Sequence, residues 1–84
     1  MTTERILKAL ANQRRLTILQ KLKDRELSVA EIAASIKLSF RSTSKHLHVL
    51  ARADILDRRQ KSLTVFYRIS HAPHPIVHTT LAIL

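Results

Sequence analysis

The chain has 84 residues, which limits it to a single small domain. Fifteen Lys and Arg residues against six Asp and Glu residues give a formal net charge of +9, which indicates a polyanionic partner, most commonly nucleic acid. The sequence lacks cysteine and any apolar run long enough to span a membrane, which excludes disulfides and thiolate metal sites, and we expect a cytoplasmic protein with no membrane partner.

One helix is predicted before a break at residues 11–12, and a second helix is predicted after it. One apolar stripe lies along the first helix, predicted over 1–11, and consists of Ile6, Leu7 and Leu10. Asn12 is suited to capping the second helix, which carries Arg14 and Arg15 near its start. Cations there oppose the helix dipole, so contact with a phosphate is one interpretation, but a solvated face is favoured.

The middle of the chain has the features of a helix-turn-helix. Ser28 and Glu31 form a capping box of the S-x-x-E type, and the apolar spacing after it predicts a helix over 29–36. Residues 37–39 then lead to a second helix over 40–53, for which Ser39 is a suitable N-cap. Two short helices joined by so tight a turn are typical of a helix-turn-helix, whose second helix enters the DNA major groove.

The helix over 40–53 has two chemically different faces. Leu47 and Leu50 share one face with Thr43 and can be buried together. No carboxylate occurs between Glu31 and Asp54, so the other face is basic and can supply phosphate anchors and side chains that reach base edges. A solvated basic face is the alternative. The residues predicted to contact DNA are Arg41, Ser42, Ser44, Lys45 and His48.

After Asp54 the apolar period changes to two residues. The alternating positions, which predict a half-buried strand, are Leu63, Val65, Tyr67 and Ile69. A partner strand over 55–59 and a basic tip over 59–62 complete a β-hairpin. A basic hairpin after a recognition helix is typical of a wing, predicted here over 57–64, that lies on the DNA backbone or in the minor groove. Hairpin tips are also basic simply because they are wet.

The last segment, 73–84, is an apolar helix without charged residues that begins near Pro75. It needs cover from its own domain or from a second copy of the chain. We favour a homodimer, because reaching two successive major grooves requires two recognition helices about 34 Å apart. The predicted dimer interface, contributed by the first and last helices, consists of Ile6, Leu7, Leu10, Ile76, Val77, Leu81 and Leu84.

The sequence gives little support for metal binding or for catalysis. His74 and His78 are four residues apart, a spacing that suits zinc, but His74 lies at or before the start of the helix. We therefore predict no metal cofactor and keep zinc at these two residues as an alternative. The sequence offers no Ser/His/Asp arrangement, no close carboxylate pair in an apolar setting and no glycine loop, so we do not expect an enzyme.

From Leu7 to Ile69 the chain resembles the arsenic-repressor (ArsR) family of winged helix-turn-helix transcriptional regulators. The segments that carry this resemblance are L-A-N-Q-R-R-L-T-I-L at 10–19, E-L-S-V-A-E-I-A at 26–33, S-K-H-L-H-V-L at 44–50 and F-Y-R-I at 66–69. The resemblance implies a homodimer that blocks transcription at an operator until an effector, not identified by the sequence, intervenes. The resemblance also implies further DNA contacts. These are Thr43 on the recognition helix and, on the wing, Arg58, Arg59 and Lys61.

The chain departs from the family pattern at several places. Metal-sensing members often have cysteines in the segment matching 26–32, where this chain has Ser28 and Ala30, so that soft-metal site is absent. Zinc-sensing relatives also supply an Asp-x-His ahead of the terminal helix, and this chain has none. Phe40 occupies a usually polar position, where it packs between helices or faces the DNA.

The predicted fold is mainly α with a small β-hairpin, a winged helix-turn-helix in the order α-α-α-α-β-β-α. It forms one domain over 1–84 and dimerises through 1–11 and 73–84. The predicted function is sequence-specific binding of double-stranded DNA by a dimeric repressor, with the recognition helix in the major groove. The alternative is a winged-helix module for protein interaction or RNA binding, which predicts weak duplex binding without sequence preference.

Overall fold

The computed structural model describes residues 2–84, which form five helices and a three-stranded antiparallel sheet. The elements follow in the order α1 (Thr3–Leu10), α2 (Gln13–Lys21), β1 (Leu27–Ser28), α3 (Val29–Ile36), α4 (Phe40–Arg52), β2 (Leu56–Lys61), β3 (Thr64–Ile69) and α5 (Pro75–Ile83). This arrangement confirms the predicted winged helix-turn-helix. No helix in this described part is both long enough and apolar enough to cross a lipid bilayer.

The sheet has one strand more than the predicted hairpin. β1 pairs with β3, placing Leu27 opposite Tyr67, and the strand order is β1-β3-β2. A strand of two residues is too short to produce a periodic pattern, which is why the sequence did not reveal it. The extra strand matters for the wing, because it holds the base of the hairpin against the start of α3.

Polar side chains fix the start of each helix in the first half of the fold. Asn12 caps α2 by accepting hydrogen bonds from the backbone N–H groups of Arg14 and Arg15. The capping box before α3 forms as predicted, with the Ser28 N–H donating to the Glu31 carboxylate at 2.8 Å and the Glu31 N–H donating to the Ser28 hydroxyl at 3.1 Å. These bonds lower the pKa of Glu31 below its ordinary value.

A chain without glycine must place other residues at positive φ, and three do so in residues 2–84. They are Lys37 with φ 55°, Asp54 with φ 58° and Ser62 with φ 58°. Lys37 occupies the left-handed region as the C-cap of α3, where glycine is the usual residue. This residue redirects the chain from α3 into α4 and makes the tight turn of the helix-turn-helix.

One core joins the helices to the sheet. Its fully buried side chains include Ile18, Leu19, Ile32, Leu47, Leu50 and Ile55, with Tyr67 from β3. Three residues predicted for the dimer interface also belong to this core: Ile6, Leu10 and Val77 are buried within the protomer. That part of the prediction is corrected, because Ile6 and Leu10 of α1 and Val77 of α5 are covered by their own domain.

The terminal helices α1 and α5 pack against each other and leave apolar surface uncovered. Leu7 on α1 is 50% exposed and Ile83 on α5 is 81% exposed. The remaining predicted interface residues, Ile76, Leu81 and Leu84, are partly buried and border the core. On the two terminal helices, the exposed large apolar side chains are therefore Leu7 and Ile83 rather than the whole predicted set.

Candidate nucleic-acid interface

The recognition helix α4 is amphipathic in the way the sequence predicted. Thr43, Leu47 and Leu50 are buried and dock the helix onto the core. Ser39 caps its start, and the Ser42 N–H donates to the Ser39 hydroxyl at 3.1 Å. The first turn contains no acidic residue, so the positive end of the helix dipole is not neutralised by its own side chains.

The opposite face of α4 holds five of the six DNA contacts predicted there. Arg41, Lys45 and His48 are exposed, while Ser42 and Ser44 are half-buried. Their side chains form a continuous cationic and hydrogen-bonding surface at the start of the helix. Such a surface matches an array of phosphates next to base edges.

Thr43 is the exception among these predicted contacts. It is fully buried, and its Oγ1 finds no hydrogen-bond partner among residues 2–84. The family resemblance placed it at the DNA-facing start of the helix, but its position on the face of Leu47 and Leu50 turns it into the core. Thr43 is therefore corrected from a predicted DNA contact to a buried residue with an unsatisfied hydroxyl.

The wing is formed by β2 and β3 with a two-residue turn at 62–63. The register pairs Arg58 with Tyr67, Arg59 with Phe66 and Lys61 with Thr64. Since neighbouring residues of a strand point to opposite faces, Arg58 lies on the side of the recognition helix and Arg59 on the far side. Lys61 is exposed beside the turn.

Arg59 already has a partner within the protein. Its Nε–H donates to Glu26 Oε1 at 3.0 Å and its Nη2–H donates to Oε2 at 2.6 Å, a two-pronged ion pair. The pair ties β2 to the segment just before β1. Arg59 was predicted as a DNA contact, but its charge is largely balanced by Glu26, and the cations that remain on the wing are Arg58 and Lys61.

A cleft of about 310 Å³ separates the start of α4 from the wing. Phe40, Ser44 and His48 line it from the helix, and Arg58 and Leu63 line it from the hairpin. Leu63 was predicted to be half-buried in a strand, but it lies in the turn and is 95% exposed. Of the two alternatives for Phe40, the exposed one is confirmed, whereas the sequence did not predict an exposed Leu63 at this surface.

Arg15 of α2 contacts α4 and the end of α1 through its guanidinium group. Its guanidinium donates to the carbonyl oxygens of Ala9 at 2.6 Å and Lys8 at 3.3 Å, at the end of α1. Its Nη1 also lies 3.3 Å from Nδ1 of His46 on α4. Because a guanidinium can only donate, Nδ1 of His46 accepts and carries no proton. Both interpretations of Arg15 from the sequence, a solvated face and a phosphate contact, missed this role.

The surroundings of His46 favour its neutral form. Partial burial lowers the pKa of His46 below its ordinary value, and the positive charges of Arg15 and Arg14 lower it further. The neutral ring is the form that accepts the hydrogen bond from Arg15. The hydrogen bond between Arg15 of α2 and His46 of α4 therefore requires a neutral imidazole.

The two histidines considered for zinc lie at the start of α5 and within it. His74 is the N-cap of α5, and its Nδ1 accepts a hydrogen bond from the Ile76 N–H at 3.1 Å. Because His74 precedes the helix and His78 lies within it, the two side chains do not share a helical face. Within the described residues no three His, Asp or Glu side chains cluster so as to hold a metal ion, whereas zinc in proteins takes three or four such ligands.

Comparison with known proteins agrees with this geometry. A family model described as bacterial regulatory protein, arsR family, matches residues 12–58, which run from the cap of α2 into the wing. The chain belongs to the ArsR family of bacterial regulatory proteins. This family comprises transcriptional regulators, and it accounts for an interface built from a helix-turn-helix and a wing in place of a catalytic centre.

Named relatives and solved structures support the assignment. The chain is 46% identical over 65 residues to the transcriptional activator HlyU of Vibrio cholerae, and this match covers 77% of the chain and 60% of HlyU. It is 35% identical over 65 residues to the biofilm growth-associated repressor of Agrobacterium fabrum, covering 77% of the chain and 56% of that protein. The chain thus matches less than two thirds of the length of these ArsR relatives.

The fold of HlyU from Vibrio cholerae superposes with a TM-score of 0.84 at 39% identity, covering 95% of this chain and 84% of that one. A solution structure of Mb0332 from Mycobacterium bovis, described as a homodimeric winged helix-turn-helix DNA-binding domain, gives a TM-score of 0.82 at 31% identity. That match covers 95% of this chain and 71% of the solved chain, a fragment (1-100) of the Mycobacterium protein. The ArsR fold is therefore shared over nearly the whole chain.

Proposed function

We propose that this ArsR-family protein binds double-stranded DNA sequence-specifically as a homodimer and represses transcription from the sites it occupies. The observation that carries the proposal is the two-faced helix α4. One face is locked into the core by Leu47 and Leu50, while the other presents Arg41, Lys45 and His48 to solvent. A rigid cationic helix with an exposed face matches the width and charge of the major groove.

The wing supplies the second part of the proposed contact. Arg58 and Lys61 lie on an exposed hairpin across the cleft from α4, where they can meet the phosphate backbone flanking the groove. β1 braces the hairpin through Tyr67. Helix and wing together would hold one half-site from two sides.

The proposed dimer uses the apolar surface of α1 and α5 centred on Leu7 and Ile83. Burying this surface against a second copy removes it from water, and twofold symmetry suits a pair of half-sites. The description of Mb0332 as homodimeric supports this choice. Relatives are named both as activator and as repressor. We propose repression, because a dimer that occupies a promoter excludes polymerase without needing a further contact.

Selection from a pool of random duplexes tests the proposal. We expect enrichment of an inverted repeat whose half-site centres lie about one helical turn apart. On the selected duplex, Lys45→Ala should weaken binding and lower the slope of log affinity against log salt by about 1. Lys23→Ala is the matched control, since it removes the same charge from the exposed turn after α2.

Two results would contradict the proposal. The first is a pool that yields no enriched sequence, which would favour the protein-interaction or RNA-binding alternative. The second is an equal loss of affinity for Lys45→Ala and Lys23→Ala, because binding would then follow net charge and not the face of α4. A reporter placed behind the selected site separates repression from activation.

A further inference from the structure

Phe40 is an exposed aromatic residue at the first position of the recognition helix. Its side chain is 60% exposed, although the burial of a phenyl ring away from water is energetically favourable. Its position on the surface that α4 presents excludes a role in holding the helix to the core, which Leu47 and Leu50 perform. The protein therefore keeps a largely uncovered apolar ring next to Arg41, on the face of α4 predicted to contact DNA.

The direction of the ring follows from helix geometry. Side chains on an α-helix lean toward its N-terminus, so a residue at the first position projects past the end of the helix. The N-terminal residues of a recognition helix are those that contact base edges when the helix enters the major groove. If α4 enters the major groove, Phe40 would therefore be among the side chains close to the base edges.

The charges around Phe40 indicate what covers it. Arg41 follows Phe40 directly on α4, and Arg58 lines the opposite side of the cleft that Phe40 borders. No acidic residue lies in the first turn of the helix. An exposed ring that shares its surface with cationic side chains fits a partner that is anionic at its rim and apolar at one point inside. Duplex DNA has such a point in the 5-methyl group of thymine, the one apolar group on the major-groove edge of a base pair.

We propose that Phe40 is a specificity-determining residue that packs against the 5-methyl group of one thymine in each half-site. This inference rests on the proposed function, since it assumes that α4 enters the major groove. It assigns a base preference to a side chain without hydrogen-bonding groups, so the preference depends on the methyl group and not on the pattern of donors and acceptors.

The test removes one methyl group at a time. Each thymine of the duplex selected by the wild-type protein is replaced by deoxyuridine, which lacks only the 5-methyl group, and the dissociation constant is measured by fluorescence anisotropy. We expect one thymine per half-site whose replacement weakens wild-type binding about fourfold, the loss expected for one apolar carbon no longer buried. Phe40→Ala should bind the two duplexes equally.

Leu63→Ala is the matched control, because it removes exposed apolar surface from the other side of the cleft. This variant should retain the fourfold sensitivity to deoxyuridine even if its overall affinity changes. Placing 5-methylcytosine, paired with guanine, at the same position should bind the wild type more tightly than cytosine does, and this difference should vanish in Phe40→Ala.

The outcomes separate the inference from the function on which it rests. A duplex that is enriched but indifferent to every deoxyuridine replacement overturns the inference and leaves the proposed function standing. The same holds if Phe40→Ala keeps the full sensitivity to the methyl group. A pool without any enriched duplex overturns both. Melting curves by circular dichroism should be the same for wild type and Phe40→Ala, since the side chain is exposed.

Discussion

The guanidinium of Arg15 lies 3.3 Å from the imidazole Nδ1 of His46 and joins the second helix to the recognition helix. The same guanidinium donates to the carbonyl oxygens of Ala9 and Lys8, which have no partner within α1 because that helix ends at Leu10. One side chain therefore caps α1, belongs to α2 and positions α4.

We expect Arg15→Ala to lower the free energy of unfolding by about 1–3 kcal/mol, since it leaves two carbonyl groups and one imidazole nitrogen without their donor. Arg14→Ala, one position away on the exposed side, should change it by less than about 0.5 kcal/mol. Urea unfolding followed by circular dichroism measures both. Equal losses in the two variants would show that the contacts of Arg15 do not contribute to stability.

The lowered pKa of His46 predicts that stability falls in acid. In the unfolded chain His46 has its ordinary pKa of about 6.5, so below that pH the unfolded state takes up a proton that the folded state resists. The contribution of the neutral ring is complete above pH 6.5 and is lost as the pH falls toward the lowered pKa.

Urea unfolding at pH 7.5 and pH 5.5 tests this dependence. The wild type should lose more free energy of unfolding between the two values than His46→Gln, which has no group titrating at this position. An NMR titration should also give His46 a pKa below its ordinary value of about 6.5. If the free energy of unfolding falls equally in wild type and His46→Gln between pH 7.5 and pH 5.5, the role given to His46 is contradicted.

Interactions between close neighbours in the chain were predictable from the sequence. The capping box joins Ser28 to Glu31, three positions away, and the faces of α4 follow from residues three or four apart. The missed interactions are distant. Arg59 and Glu26 are 33 positions apart, and Arg15 and His46 are 31 apart, so no local pattern links them. Which arginine faces DNA is decided by partners that only the folded chain brings together.

The buried hydroxyl of Thr43 predicts a stabilising substitution. Thr43→Val keeps the shape of the side chain and removes a polar atom that lacks a partner among residues 2–84, so the free energy of unfolding should rise by about 1 kcal/mol. Thr43→Ser keeps the hydroxyl and removes a buried methyl group, so in this variant the free energy of unfolding should fall by about 1 kcal/mol. DNA affinity should be unchanged in Thr43→Val. A loss of stability in this variant would mean that the hydroxyl is satisfied.

The ion pair of Arg59 with Glu26 predicts a small effect of Arg59 on DNA binding. Its charge is balanced within the protein, so Arg59→Ala should lower the salt slope of DNA binding clearly less than Lys45→Ala does. The wing itself should lose support. A double-mutant cycle with Glu26→Ala should give a coupling of about 0.2–1 kcal/mol, since the pair is partly exposed. A slope change of a full unit for Arg59→Ala would mean that the arginine leaves Glu26 for a phosphate.

The proposed dimer predicts that one charge on α5 separates the protomers. Deleting the whole helix is a poor test, because Val77 belongs to the core and its loss would destabilise the protomer. Ile83→Glu instead places a carboxylate on an exposed surface, so the monomer should remain folded while the dimer dissociates at least tenfold more readily. Sedimentation equilibrium measures this shift. Gln20→Glu adds the same charge on the exposed side of α2 and should leave the dimer intact. If Ile83→Glu sediments as the wild type does, the interface lies elsewhere.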